Sequence, residues 1–114
     1  MPKRIRDTKT LSWYPHHIRL SFEFKIEDSE MTEYVVQLEY NDGDYADEDW
    51  KQVARFDTSH DFFHIDLHYA DGTKQKHWNT LPQYLDTDEE FNKARAYLVR
   101  KSTELTRKTG YVED

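Results

Sequence analysis

Cysteine is absent from the 114 residues. That excludes a disulfide framework, a thiolate zinc site and a cysteine nucleophile. Glycine and proline occur three times each, too few for a glycine-rich phosphate-binding loop or a proline-rich linker. No run approaches the 18 apolar residues that a membrane span needs. The basic start Met1-Pro2-Lys3-Arg4-Ile5-Arg6 lacks a following apolar stretch, so no secretory leader is expected. Positive charge is outnumbered, with 16 Lys and Arg against 23 Asp and Glu and a net charge of −7. General electrostatic wrapping of duplex nucleic acid is therefore disfavoured, though a local basic site is not. These absences point to a cytoplasmic chain that makes no contact with membrane.

What is present is aromatic. The mean hydropathy of −1.07 leans toward disorder, but 3 Trp, 8 Tyr and 6 Phe are too many for a solvated tail. They imply a folded core built on large rings. The length fits a single domain.

Residues 1–10 read as a flexible basic arm, 11–110 as one α+β domain and 111–114 as a tail. From His17 to Ile26 the chain alternates strictly: Ile18, Leu20, Phe22, Phe24 and Ile26 share one face, and His17, Arg19, Ser21, Glu23 and Lys25 the other. This is a half-buried strand. A second strand, about Glu33 to Tyr40, puts Tyr34, Val36, Leu38 and Tyr40 on one face. Pairing Ile26 with Tyr34 and Phe24 with Val36 keeps both apolar faces together.

An acidic turn, Asp42 to Asp49, follows. Further strands are expected near Trp50 to Asp57, Phe62 to Tyr69 and Lys74 to Trp78, with a turn at Asp71-Gly72 and a break at Leu81-Pro82. Trp50, Ala54 and Phe56 are expected on one face of the third strand, with Val53 an apolar exception on the other. Asp86 to Lys108 reads as one helix, opened by a Thr87/Glu90 capping box and stopped by Gly110. Phe91, Ala94, Leu98, Ser102 and Leu105 form its apolar stripe. The expected fold is a four- to five-stranded antiparallel meander with one C-terminal helix packed on its apolar face.

The stretch with the most chemistry runs from Arg55 to His68 and holds three of the six histidines, His60, His64 and His68. Matching Phe56 with Phe63 puts Arg55 across from His64. It gathers Arg55, Asp57, His64, Asp66 and His68 on one surface with His60 at the tip. Three readings are open. Imidazoles can move protons while a guanidinium holds a phosphodiester, which is enough for a metal-independent ribonuclease using Arg55, Asp57, His60 and His64. Alternatively, His64, Asp66 and His68 offer i,i+2 pairs that can chelate a metal ion. The third reading is an ordinary solvated cross-strand network. No cofactor is expected. His16-His17 beside Trp13-Tyr14 is a lesser candidate for a binding lip.

The segment from Asp49-Trp50 through Trp78 resembles a family of small, uncharacterised archaeal and bacterial proteins. The likeness rests on the signature Arg55-Phe56-Asp57-Thr58-Ser59-His60-Asp61-Phe62-Phe63-His64-Ile65-Asp66, on the Asp71-Gly72 turn and on Tyr34 to Tyr40. A more distant similarity is to the TumE-type toxins of toxin–antitoxin systems, which share the arginine–aromatic–aspartate strand followed by histidines. The resemblance raises Arg55, Asp57, His60, His64 and Asp66 above ordinary surface residues. The leading expectation is a small toxin–antitoxin-like protein acting on an RNA substrate through Arg55, Asp57, His60 and His64, with a protein partner or antitoxin. The alternative is a non-enzymatic protein-interaction module or a homodimeric structural protein, associating by an edge strand or by the polar sheet face.

Overall fold

The computed structural model describes residues 2–13, 16–41, 50–58, 64–78 and 86–112, with the backbone alone at His64, His77 and Trp78. The expected acidic turn at 42–49, the break at Leu81-Pro82 and the loop holding His60 lie outside the described residues. Among the described residues six strands form one antiparallel sheet in simple meander order. They are β1 (Lys3–Ser12), β2 (His17–Glu27), β3 (Glu30–Asn41), β4 (Lys51–Asp57), β5 (His64–His68) and β6 (Lys74–Trp78). Two helices follow, α1 (Thr87–Arg100) and α2 (Ser102–Lys108). The fold is α+β as expected, with one strand and one helix more.

The extra strand is β1, which takes in most of the stretch expected as a flexible arm. Lys3 to Thr10 pair in unbroken register with Ile26 to Arg19. The arm carries almost no apolar periodicity because an edge strand contributes little to the core. Its side chains are nearly all exposed, with Ile5, Leu11 and Ser12 partly covered and Leu11 packed against the core. Backbone pairing with β2, not burial, holds it.

The second extra element comes from a break at Lys101 (φ −100, ψ 11) in the expected single helix. The N–H groups of Lys101 and Leu105 still bond Tyr97 and Lys101 carbonyls at 2.9 and 2.8 Å, so the break is a kink. Ser102 and Thr103, both weak helix formers, follow it. No Thr87 capping bond forms: Asp86 is the cap residue, without a side-chain cap bond. The Glu90 side chain instead accepts a 2.7 Å bond from the Tyr34 hydroxyl. Gly110 ends α2 at φ +87, a conformation that strains any other L residue.

The core lies between the sheet and the helices. Leu20, Val36, Leu38, Val53, Ala54, Phe56, Ala94 and Leu98 are fully buried. The Phe91 ring meets Phe22, Phe24 and Tyr34 at 5.5–5.7 Å between centroids, and Tyr97 stands edge-on to Phe56 at 5.7 Å. Tyr111 and Val112, expected in the tail, pack partly against this core.

Two strand registers differ from expectation by two residues. Phe24 pairs with Tyr34 and Phe22 with Val36, because a tight Asp28-Ser29 turn closes on Glu27 and Glu30 and a bulge then shifts the register by one residue between Ile26–Met31 and Lys25–Glu33. In β4 and β5, Ala54 pairs with Leu67 and Arg55 with Asp66. A shift of two leaves every side chain on its own face, so the hydrophobic pattern cannot distinguish these registers. A bulge also interrupts β3–β4, where Leu38 pairs with Ala54 but Glu39 with Gln52. Val53 is the extra residue, and it is buried beside Ala54. The bulge turns Trp50 to the face opposite the helices, not to the face of Ala54 and Phe56.

Candidate functional site

The face away from the helices is built by alternation. Arg4 and Arg6 come from β1, Arg19, Ser21, Glu23 and Lys25 from β2, Val35, Gln37 and Glu39 from β3, Arg55 and Asp57 from β4, and Asp66 from β5. The Thr8, Ser21, Gln37, Arg55, Asp66 and Lys76 backbones form one continuous cross-strand row.

Arg55 Nε donates to the Asp57 Oδ2 at 2.8 Å, and the Asp57 side chain is only 7% exposed. The pair borders a shallow cleft of about 260 Å³ whose walls include Arg4, Glu23, Glu33, Val35 and Thr58. A second concavity, of about 470 Å³, continues it past Arg6, Ser21 and Gln37. Arg4 approaches Glu23 and Glu33 at 3.6 and 3.7 Å, and Arg6 approaches Glu23 at 3.3 Å. Each guanidinium in the concavity is thus already matched to a carboxylate. The Arg4 and Arg6 pairs, with their guanidinium groups largely in water, exchange partners at little cost.

The other end of the face is aromatic. Trp13 stacks on His17 at 4.3 Å, and His17 meets the Trp50 ring edge-on at 4.6 Å. The Arg19 guanidinium lies 3.9 Å from the Trp50 centroid, and Arg19 donates to the nearly buried Glu39 at 2.7 Å. Gln37 also donates to Glu39, at 2.5 Å. Trp13 is 56% exposed, a large apolar surface to leave in water.

The residues expected from the sequence are distributed as follows. Arg55 and Asp57 are together. Asp66 is buried and lies across from Arg55, in the place expected for His64. His64 begins β5, two residues before Asp66, and its side chain, like all of His60, lies outside what is described. His68 is half-buried, and its Nε2 is enclosed without a hydrogen-bond partner among the described residues. Burial, then the Lys74 charge, pulls the His68 pKa below the ordinary imidazole value, against the opposing pull of Asp66. Among the described residues no three His, Asp or Glu side chains form a metal-binding group, and no helix is long and apolar enough to cross a membrane.

The sequence marks Trp13 and His17 as a lesser candidate lip but does not join Trp50 to them, and it does not bring Arg4 and Arg6 to this face. The arginines were assigned to a free arm. Trp50 was placed on the wrong face because nothing in the pattern marks the bulge. The alternation of His17, Arg19 and Glu23 and the spacing of Arg55 and Asp57 are the signals that place part of the site.

A family model described as a domain of unknown function, DUF7718, matches residues 5–110. No curated protein matches the chain, and neither does any solved structure. The matched region spans both ends of the polar face.

Proposed function

The chain belongs to the DUF7718 family, and we propose that it is a non-enzymatic protein-interaction module that receives its partner on the polar sheet face. One observation carries this reading. Trp13 stands 56% exposed, stacked on His17, which in turn meets Trp50, on the same sheet face as a concavity lined with the exposed Arg4–Glu23 and Arg6–Glu23 pairs. A rigid aromatic anchor beside a polar rim is the arrangement that concentrates binding energy at protein interfaces. The net charge of −7 and the carboxylate beside each cleft guanidinium argue against a phosphate backbone as the ligand.

A second reading, a metal-independent ribonuclease of toxin–antitoxin type, is favoured by the nearness of β5 to Arg55 and Asp57. In it one imidazole takes the proton of the attacking 2′-hydroxyl and another protonates the leaving oxygen. His60 and His64 fill these roles, and Arg55 steadies the charged phosphorus centre.

One set of strains tests both. Quantitative affinity purification compares wild type, Trp13→Ala, Arg55→Asp and the helix-surface control Lys93→Ala. A partner held by wild type and Lys93→Ala and lost by the other two is the expected result. In parallel, wild type, His64→Ala and Arg55→Ala are expressed and growth and total RNA followed. Growth arrest with RNA loss in wild type alone overturns the module in favour of the ribonuclease.

A further inference from the structure

We propose that the chain forms a two-fold dimer by antiparallel pairing of β1 with β1 of a second copy, centred on Thr8. Among the described residues β1 is the outermost strand at one side of the sheet. Thr8 donates its N–H to the Asp7 Oδ1 at 2.8 Å in an exposed bond, so this amide faces the open edge and not β2. By alternation the Arg4, Arg6 and Thr10 amides face the same way. The edge therefore offers a row of unsatisfied backbone groups.

Charge selects the occupant and the register. A two-fold axis normal to the sheet requires opposed residues to share a face, so the axis must pass through a residue. Centring on Arg6 opposes Arg6 to itself, and centring on Asp7 or Lys9 likewise stacks like charges. Centring on Thr8 opposes Asp7 to Lys9 of the second copy, twice, and Ile5 to Leu11. These Asp7–Lys9 pairs fall at non-hydrogen-bonded positions, where side chains approach most closely. Neither Asp7 nor Lys9 forms an ion pair among the described residues, whereas Arg4 and Arg6 already have Glu23 and Glu33. Lysine on an edge ordinarily discourages pairing; here it meets the one acid on the strand. On pairing, the Thr8 amide passes from the Asp7 carboxylate to the Thr8 carbonyl of the second copy, and Asp7 is released to Lys9.

Sedimentation equilibrium on the intact chain tests this. Wild type is expected to reach twice its 13.9 kDa mass. Asp7→Lys and Lys9→Asp should each weaken association about tenfold, and the Asp7→Lys/Lys9→Asp double variant should restore it. The chain has no cysteine, so Thr8→Cys gives a second, independent readout. Its two sulfurs would lie across a pair with Cα atoms about 5.5 Å apart, within disulfide reach. Thr10→Cys, displaced from its own copy by about 13 Å, should not link. A chain that stays at 13.9 kDa up to about 1 mM overturns the proposal. So does a double variant that associates no better than either single one, or linking by Thr10→Cys without Thr8→Cys.

Discussion

His68 shows how a single buried nitrogen makes the fold sensitive to acid. Its enclosed Nε2 and the nearby Lys74 hold the imidazole neutral below its ordinary pKa. The unfolded chain has no such restraint and takes up its proton near pH 6.5. Between the lowered folded value and that value the unfolded state binds more protons, so stability rises with pH across the window. The contribution is present above about pH 6.5 and lost as pH falls through the folded pKa. An NMR titration of the His68 ring should give a midpoint below that of a histidine in a short unstructured peptide, and His68→Gln should flatten the acid limb of stability. A midpoint at or above the free value would contradict the burial argument. Tyr34 is the opposite case. Its buried hydroxyl is pushed well above the usual phenol range, first by burial and then by the Glu90 carboxylate that accepts its bond. Tyr34→Phe keeps the ring contacts with Phe91 and removes that bond, and should cost about 1.5 kcal/mol in urea unfolding.

At the scale of elements, the β2–β3 turn stores strain. Asp28 and Ser29 both have positive φ, 52° and 66°, as a two-residue hairpin turn of matching twist requires. Aspartate tolerates this region better than serine does. Ser29→Gly should therefore raise stability by about 1 kcal/mol, read as a higher urea midpoint at unchanged slope. A lower midpoint would mean that the added freedom of the unfolded chain outweighs the relieved strain. Elements were legible where burial has a period: β2, β3, the helix stripe and the apolar side of β4 follow from side-chain alternation. What lacked a periodic signature was hidden. β1 is fastened by its backbone, the Val53 bulge reverses the faces before it, and registers two residues apart are equivalent to the hydrophobic pattern. The Arg55–Asp57 pair could be read because both lie on one strand, two residues apart. The opposition of Arg55 to Asp66 could not, since it depends on the cross-strand register. Arg4 and Arg6 reach the site through β1, which composition alone presents as a tail.

For the molecule as a whole, the meander makes stability a gradient from the centre outward. Each strand pairs with its neighbours in sequence, so no long-range crossover ties the edges to the middle. β3 has β2 and β4 on its flanks and Phe91 of α1 against Tyr34, and its Tyr34, Val36 and Leu38 side chains are fully enclosed. Its amides can be released only by breaking the core. β1 has one neighbour and few inward side chains, so it can peel from β2 while Leu20 and Val36 stay covered. Amide exchange on dilute chain should therefore show β3 opening with the global free energy and the inward-facing amides of β1 opening at a cost lower by about 2 kcal/mol or more. The outward amides of Arg6, Thr8 and Thr10 should exchange fastest within that strand. Equal protection of Ile5 and Val36 would mean that β1 unfolds with the core. The edge would then be a rigid wall of the polar concavity, and Arg4 and Arg6 fixed parts of it.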